Sequence, residues 1–136
     1  MKILNLIVIL LLVIGCQTVK KATDISPLDK AIAQHFDANV DTVTNTSGTF
    51  ILILQTQEPT MQVPVNALKF GIYDIKKEAI VYTEQKYNAR ASWYNDEYIS
   101  IKSRPGVKST DDAINSAMEH CYINVKTLVK LTKLPN

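Results

Sequence analysis

The chain has 136 residues, of which 15 are Lys or Arg and 13 are Asp or Glu, for a formal net charge of +2. No block of like charge exceeds a pair, so nothing in the sequence suggests the clustered positive face that a nucleic-acid partner requires. The length suits one domain around one core, and the excess of 13 lysines over 2 arginines reads as the bias of an AT-rich genome rather than as a mark of function.

In chain order, Lys2 precedes an apolar run over residues 3–14 that is broken by Asn5 alone and closes on Leu12-Val13-Ile14-Gly15-Cys16. This pattern resembles the signal peptide and lipobox of bacterial lipoproteins: a positive residue, an apolar stretch, a small residue and a Cys. The resemblance implies cleavage before Cys16 and lipid on its thiol and new amino group. It also implies residence in the bacterial cell envelope, tethered to a membrane through that anchor. Gln17 follows the Cys where an Asp would favour the inner membrane, so the expectation leans towards the outer membrane. The alternatives are a plain secretory signal and a retained helix, although a core of about 12 residues falls short of the roughly 20 that span a bilayer. The expected organisation is a cleaved signal at residues 1–15, a lipidated Cys16 with a flexible polar tether at residues 16–25, and a single domain at residues 26–136. With Cys16 lipidated, Cys121 has no partner within the chain for a disulfide.

Ser26-Pro27-Leu28-Asp29 opens the domain as a helix start. Ser26 suits the N-cap, Pro27 the first helical position, and Asp29 the acceptor of a capping box, though Asp is shorter than the usual Glu. Leu28, Ala31, Ile32, His35 and Phe36 recur at helical spacing and predict an amphipathic helix over residues 27–37.

The period then falls to two. Residues 40–44 read as a short strand and Asn45-Thr46-Ser47-Gly48 as a turn. Residues 50–54 are continuously apolar, as in a central strand covered on both faces. Pro59 and Pro64 bracket a loop and leave residues 61–63 as at most an edge. Leu68, Phe70 and Ile72 alternate with other residues, Asp74-Ile75-Lys76-Lys77-Glu78 turns the chain, and residues 79–83 return. Residues 91–93 and 98–101 flank Tyr94-Asn95-Asp96-Glu97 as a second hairpin. Asp111 or Asp112 caps a short second helix with Ile114, Ala117 and Met118 on its apolar side. Cys121, Ile123 and Val125 form the inward face of a last strand, and the tail either extends it or docks as a turn of helix. The expected fold class is α+β: an N-terminal helix packed on a mainly antiparallel sheet built from hairpins, with a short helix before the last strand.

Residues 72–82 followed by residues 91–101 resemble one blade of a TolB-type β-propeller, without the Ser-Pro and Gly of its Trp turn. A propeller needs at least four blades and the chain has room for two or three, so no function is transferred. Asp41-Thr42-Val43 is similar to the short O-glycosylation sequon of envelope proteins in Bacteroidetes-type bacteria.

Catalytic constellations are thin. The acidic pairs Asp96-Glu97 and Asp111-Asp112 fall on turns or caps, whereas a carboxylate active site needs two acids facing across a cleft. His120 and Cys121 are adjacent on a strand and point to opposite faces, so Cys121 reads as a buried small hydrophobe. The two histidines, His35 and His120, make no metal-ligand pattern, and no phosphate loop or nucleophile elbow occurs. No metal and no cofactor are expected. The aromatic density of the hairpins is more suggestive: Trp93 and Tyr94 must face opposite sides, and Arg90, Trp93, Tyr94 and Tyr98 form the candidate partner surface. The leading expectation is a non-enzymatic binding or adaptor module for an envelope protein or cell-wall partner. An inhibitor or immunity-type protein against an envelope hydrolase comes second, and a small enzyme third.

Overall fold

The computed structural model describes residues 25–37, 39–104, 110, 115 and 119–135. Helix α1 (Pro27–His35) begins as the sequence predicts. The Ser26 side chain accepts the Asp29 N–H at 3.1 Å. The return half of the box is altered: Asp29 accepts the Ser26 hydroxyl at 2.7 Å, because the shorter acid turns to the side chain of the cap. The helix ends two residues earlier than predicted, since Phe36 leaves it in an extended conformation while its N–H still bonds to Ile32 O at 2.8 Å.

Among the described residues eight antiparallel strands follow, in two sheets of four. Sheet 1 is β1 (Asp41–Thr44), β2 (Phe50–Gln57), β3 (Ala67–Asp74) and β4 (Ala79–Tyr87), in chain order across the sheet. Sheet 2 is β5 (Ala89–Trp93), β6 (Tyr98–Ser103), β7 (His120–Asn124) and β8 (Lys130–Leu131), again in chain order. The chain is thus mostly antiparallel strand with a helix, in place of the single sheet expected. Residues 61–63 form no strand, and the tail supplies β8 rather than lengthening β7. Of the second helix expected near residues 111–118, Asn115 is described and helical, as is Glu119 beyond it, and the rest lies outside the described residues.

What divides the sheet is Asn88. It stands alone between β4 and β5 with φ at +48°, a left-handed conformation that Asn tolerates better than most side chains. Its N–H bonds to Asn66 O and its carbonyl accepts the Arg104 N–H, so the bend is held from both sheets. From this corner β5 passes over β3 and β2, and at its end the Trp93 indole donates to Val43 O of β1 at 2.8 Å. Five extended residues cover about 16 Å, close to the width of four strands spaced about 4.8 Å apart. β5 therefore runs across sheet 1 rather than along it, the geometry of crossed sheet packing in which a bent strand switches layers.

The core lies between the sheets. Leu52, Phe70 and Ile72 of sheet 1 meet Ile99, Ile101 and Ile123 of sheet 2, all essentially without exposed surface. Each such side chain contributes about 1.5–3 kcal/mol through burial. A register shift opposite Ile72 and Tyr73 leaves Val81 without a partner, so that Val81 and Tyr82 both pack against this core. A second cluster forms on the other face of sheet 1, where Ala31 and Phe36 cover Ile53 and Tyr73. The continuous apolar run of β2 is explained by these two contacts, one on each face. The layers in order are α1, sheet 1 and sheet 2. Among the described residues no helix is long and apolar enough to cross a membrane.

Candidate functional site

Alternation in sheet 2 decides what each strand offers. Ile99, Ile101, Cys121 and Ile123 point to sheet 1, with Ala89, Ala91 and Trp93 of β5 packed against them. Their neighbours Arg90, Ser92, Ser100, Lys102, His120 and Tyr122 therefore face away from the core. On this outer face Tyr94 is 56% exposed and meets Tyr122 edge to face, with ring centroids 5.3 Å apart. Tyr122 in turn lies 4.6 Å from the His120 ring, whose Nε2 is 2.9 Å from Ser100 Oγ. The contact is an aromatic row braced from below, with one ring free to meet a partner.

The four residues of the candidate surface divide between two faces. Arg90 and Tyr94 are exposed on the outer side, and Tyr98 sits half-buried opposite Tyr94, whose N–H bonds to its carbonyl at 2.9 Å. Trp93 turns inward, packs on the core and reaches β1, so its contribution is to hold the sheets together. Sequence reasoning left out Lys102, which faces Arg90 directly across the ladder. The lipid-attachment residue Cys16 lies outside the described residues. Thr42 of the sequon-like triplet stands exposed on β1.

The loop beside the aromatic row is fixed by side chains. Asn95 Oδ1 accepts the N–H groups of Glu97 and Tyr98, both at 2.9 Å. Asp96 accepts the Ser47 N–H at 3.1 Å, and its carbonyl takes a bond from the buried Asn45 amide. Asn45 Oδ1 accepts Thr49 and Phe50 N–H, so one side chain closes the β1–β2 turn and joins it to the β5–β6 loop. Glu97 pairs with Lys126, and that bond raises the lysine pKa. The Asp96-Glu97 acids are thus engaged in loop geometry.

Titratable groups also gather at the margin between β4 and β8. Glu84 accepts the Tyr82 hydroxyl at 2.6 Å and the Lys130 ammonium at 2.8 Å, with Lys86 at 3.7 Å. Burial opposes the ionisation of Glu84, yet the bonds from Lys130 and Tyr82 outweigh it and hold the carboxyl below its ordinary range. Burial and the Glu84 bond raise the Tyr82 phenol. Cys121, 4% exposed beside this cluster, has its thiol pushed up by burial against the opposing pull of Lys86 and Lys130. A thiol so placed is a poor nucleophile.

Elsewhere, an open groove of about 400 Å³ separates α1 from the start of β4, lined by Lys30, Gln34, His35, Glu78 and Ile80 among others. His35 and Glu78 bring polar groups to it, but among the described residues no cluster of His, Cys, Asp or Glu could hold a metal ion. No protein-family model matches the sequence, and neither a curated protein nor a solved structure matches the chain.

Proposed function

We propose that the chain is a membrane-anchored lipoprotein of the bacterial cell envelope whose folded part is a non-enzymatic binding module. Its contact surface is the outer face of sheet 2, and its partner is an envelope protein or cell-wall component. The observation that carries the binding reading is Tyr94, exposed and seated on Tyr122, on the face that also carries Arg90. Tyr and Arg are the residues that most often dominate contact energies. The lipobox-like segment Leu12-Val13-Ile14-Gly15-Cys16 supports the anchor. The layer order supports the orientation: the tether enters at α1, and sheet 2 lies on the opposite side of sheet 1. A domain resting near its anchor therefore turns the Tyr94 face away from the bilayer.

Crosslinking in intact cells, followed by capture of the tagged protein, tests this reading. A partner enriched with the wild-type chain and lost with Cys16→Ala is the expected result. Reproducible absence of any partner, together with substrate turnover by the purified chain, would overturn it.

A second reading, an inhibitor or immunity-type protein against an envelope hydrolase, is favoured by the rigidity of residues 94–97. Asn95, Asp96 and Glu97 each fix that loop with a side-chain bond, which lowers the ordering cost of inserting it into a cleft. Substitution of Tyr94 should then abolish protection of cells from the hydrolase with no change in the melting temperature of the chain.

A further inference from the structure

The chain holds two arginines, Arg90 and Arg104, and both lie on the β5–β6 ladder of sheet 2. Arg90 and Lys102 are directly opposed across that ladder on its outer face, and the next residue in the same row is His120 of β7. Arg104 stands exposed just past the end of β6. Among the described residues no carboxylate forms a salt bridge with Arg90, Lys102 or Arg104, whereas the lysines at positions 77, 86, 126 and 130 all have one. Like charges facing each other across a ladder are destabilising, with Cβ atoms about 5 Å apart. Such a pair, without a salt-bridged carboxylate among the described residues, fits a surface whose counter-charge arrives with a partner.

We infer that the row Arg90, Lys102 and His120, with Arg104 beside it and Tyr94 as its apolar anchor, docks an acidic surface of a partner protein. This rests on the binding-module reading above and names the chemistry of the partner. Three observations favour a protein. The guanidinium fork matches a carboxylate with two parallel bonds, and both of the chain's guanidinium groups are here. An exposed Tyr on the same face as a row of cations has the anatomy of a protein contact, in which an aromatic centre is desolvated and charged groups set the orientation. The face also lies on the layer opposite the tether, which turns it from the anchoring bilayer.

The test is site-specific photo-crosslinking in intact cells, with p-benzoylphenylalanine in place of Tyr94 in the full-length chain and, separately, in place of Gln34 in the groove of α1. The expected result is a protein adduct from position 94 whose crosslinked peptide is rich in Asp and Glu. Its yield should fall at least tenfold with Lys102→Glu or Arg90→Gln and stay unchanged with Lys76→Glu on the distant β3–β4 turn. Lys102→Glu also gives Arg90 an opposite charge across the ladder, so the purified variant should melt at an equal or higher temperature. Loss of the adduct with gain of stability separates recognition from folding. An adduct to lipid or glycan, or one indifferent to these charges, overturns the inference. Adducts from Gln34 alone overturn it and leave the binding-module reading standing, and adducts from neither position remove both.

Discussion

Gly71 is where Phe36, just past α1, lies against sheet 1. A Cβ at this position would lie 2.9 Å from Cζ of Phe36 and 3.2 Å from the Tyr82 carbonyl. The missing side chain of glycine is what lets the Phe36 ring approach β3 so closely, with the Lys69 ammonium 5.2 Å from its centroid. Gly71→Ala should therefore cost about 1–3 kcal/mol through overpacking. In a Phe36→Leu background the same substitution should cost less than half as much, a coupling that a double-mutant cycle by urea denaturation will measure. The pattern around Gly71 was half legible. Leu68, Phe70 and Ile72 declare the inner face of β3 by their alternation, and the helix signal includes Phe36. That the ring comes to rest on Gly71 depends on where the chain goes after leaving the helix, which no local spacing encodes.

At the scale of elements, the bend at Asn88 turns one long strand into two and one sheet into two. Its side chain is exposed, so its effect acts through the backbone. Asn88→Gly should leave stability within a few tenths of a kcal/mol, whereas Asn88→Val should cost about 1–2 kcal/mol or more, because a branched Cβ clashes in the left-handed conformation. Thermal denaturation of the two variants checks both. The corner escaped sequence reasoning because Tyr87-Asn88-Ala89 holds neither Gly nor Pro, the usual punctuation. A lone Asn between alternating segments was the available signal. The second hairpin was legible in existence but not in register. Tyr94 bonds to Tyr98, which leaves a loop of three residues rather than four and sets Trp93 against Ile99. That single step is what brings Arg90 opposite Lys102 instead of Ile101, so the charged row could not be read before the loop was seen. Of the candidate surface, Arg90 and Tyr94 lie on the outer face, whereas Trp93 packs inward on the core.

For the whole molecule, Glu84 is the hinge between electrostatics and architecture. It belongs to β4 at one edge of sheet 1 and binds Lys130 of β8 at one edge of sheet 2. Its carboxyl is held below the ordinary value of about 4.3 in the folded chain. A depressed folded pKa contributes stability that is present above the unfolded value and lost as pH falls through the folded one. Urea midpoints should accordingly fall as the solution is acidified below about pH 4. Glu84→Gln, which leaves Lys130 and Tyr82 without their carboxylate, should cost about 1–3 kcal/mol at pH 7 and much less at pH 3. Equal losses at both pH values would show that the site works by packing and not by charge.

The indole of Trp93 lies against the margin of β1. β1 is paired on one side alone among the described residues, with β2, and its Val43 carbonyl accepts the indole N–H at 2.8 Å. A backbone joining β1 on its open side would meet that bulky ring and the charge of Asp41 close by. Open margins are where sheets recruit stray chains and grow into aggregates. In the anchored chain proposed above, a bulky indole bonded to this strand would work against templated self-association and leave the outer face of sheet 2 for selective encounters.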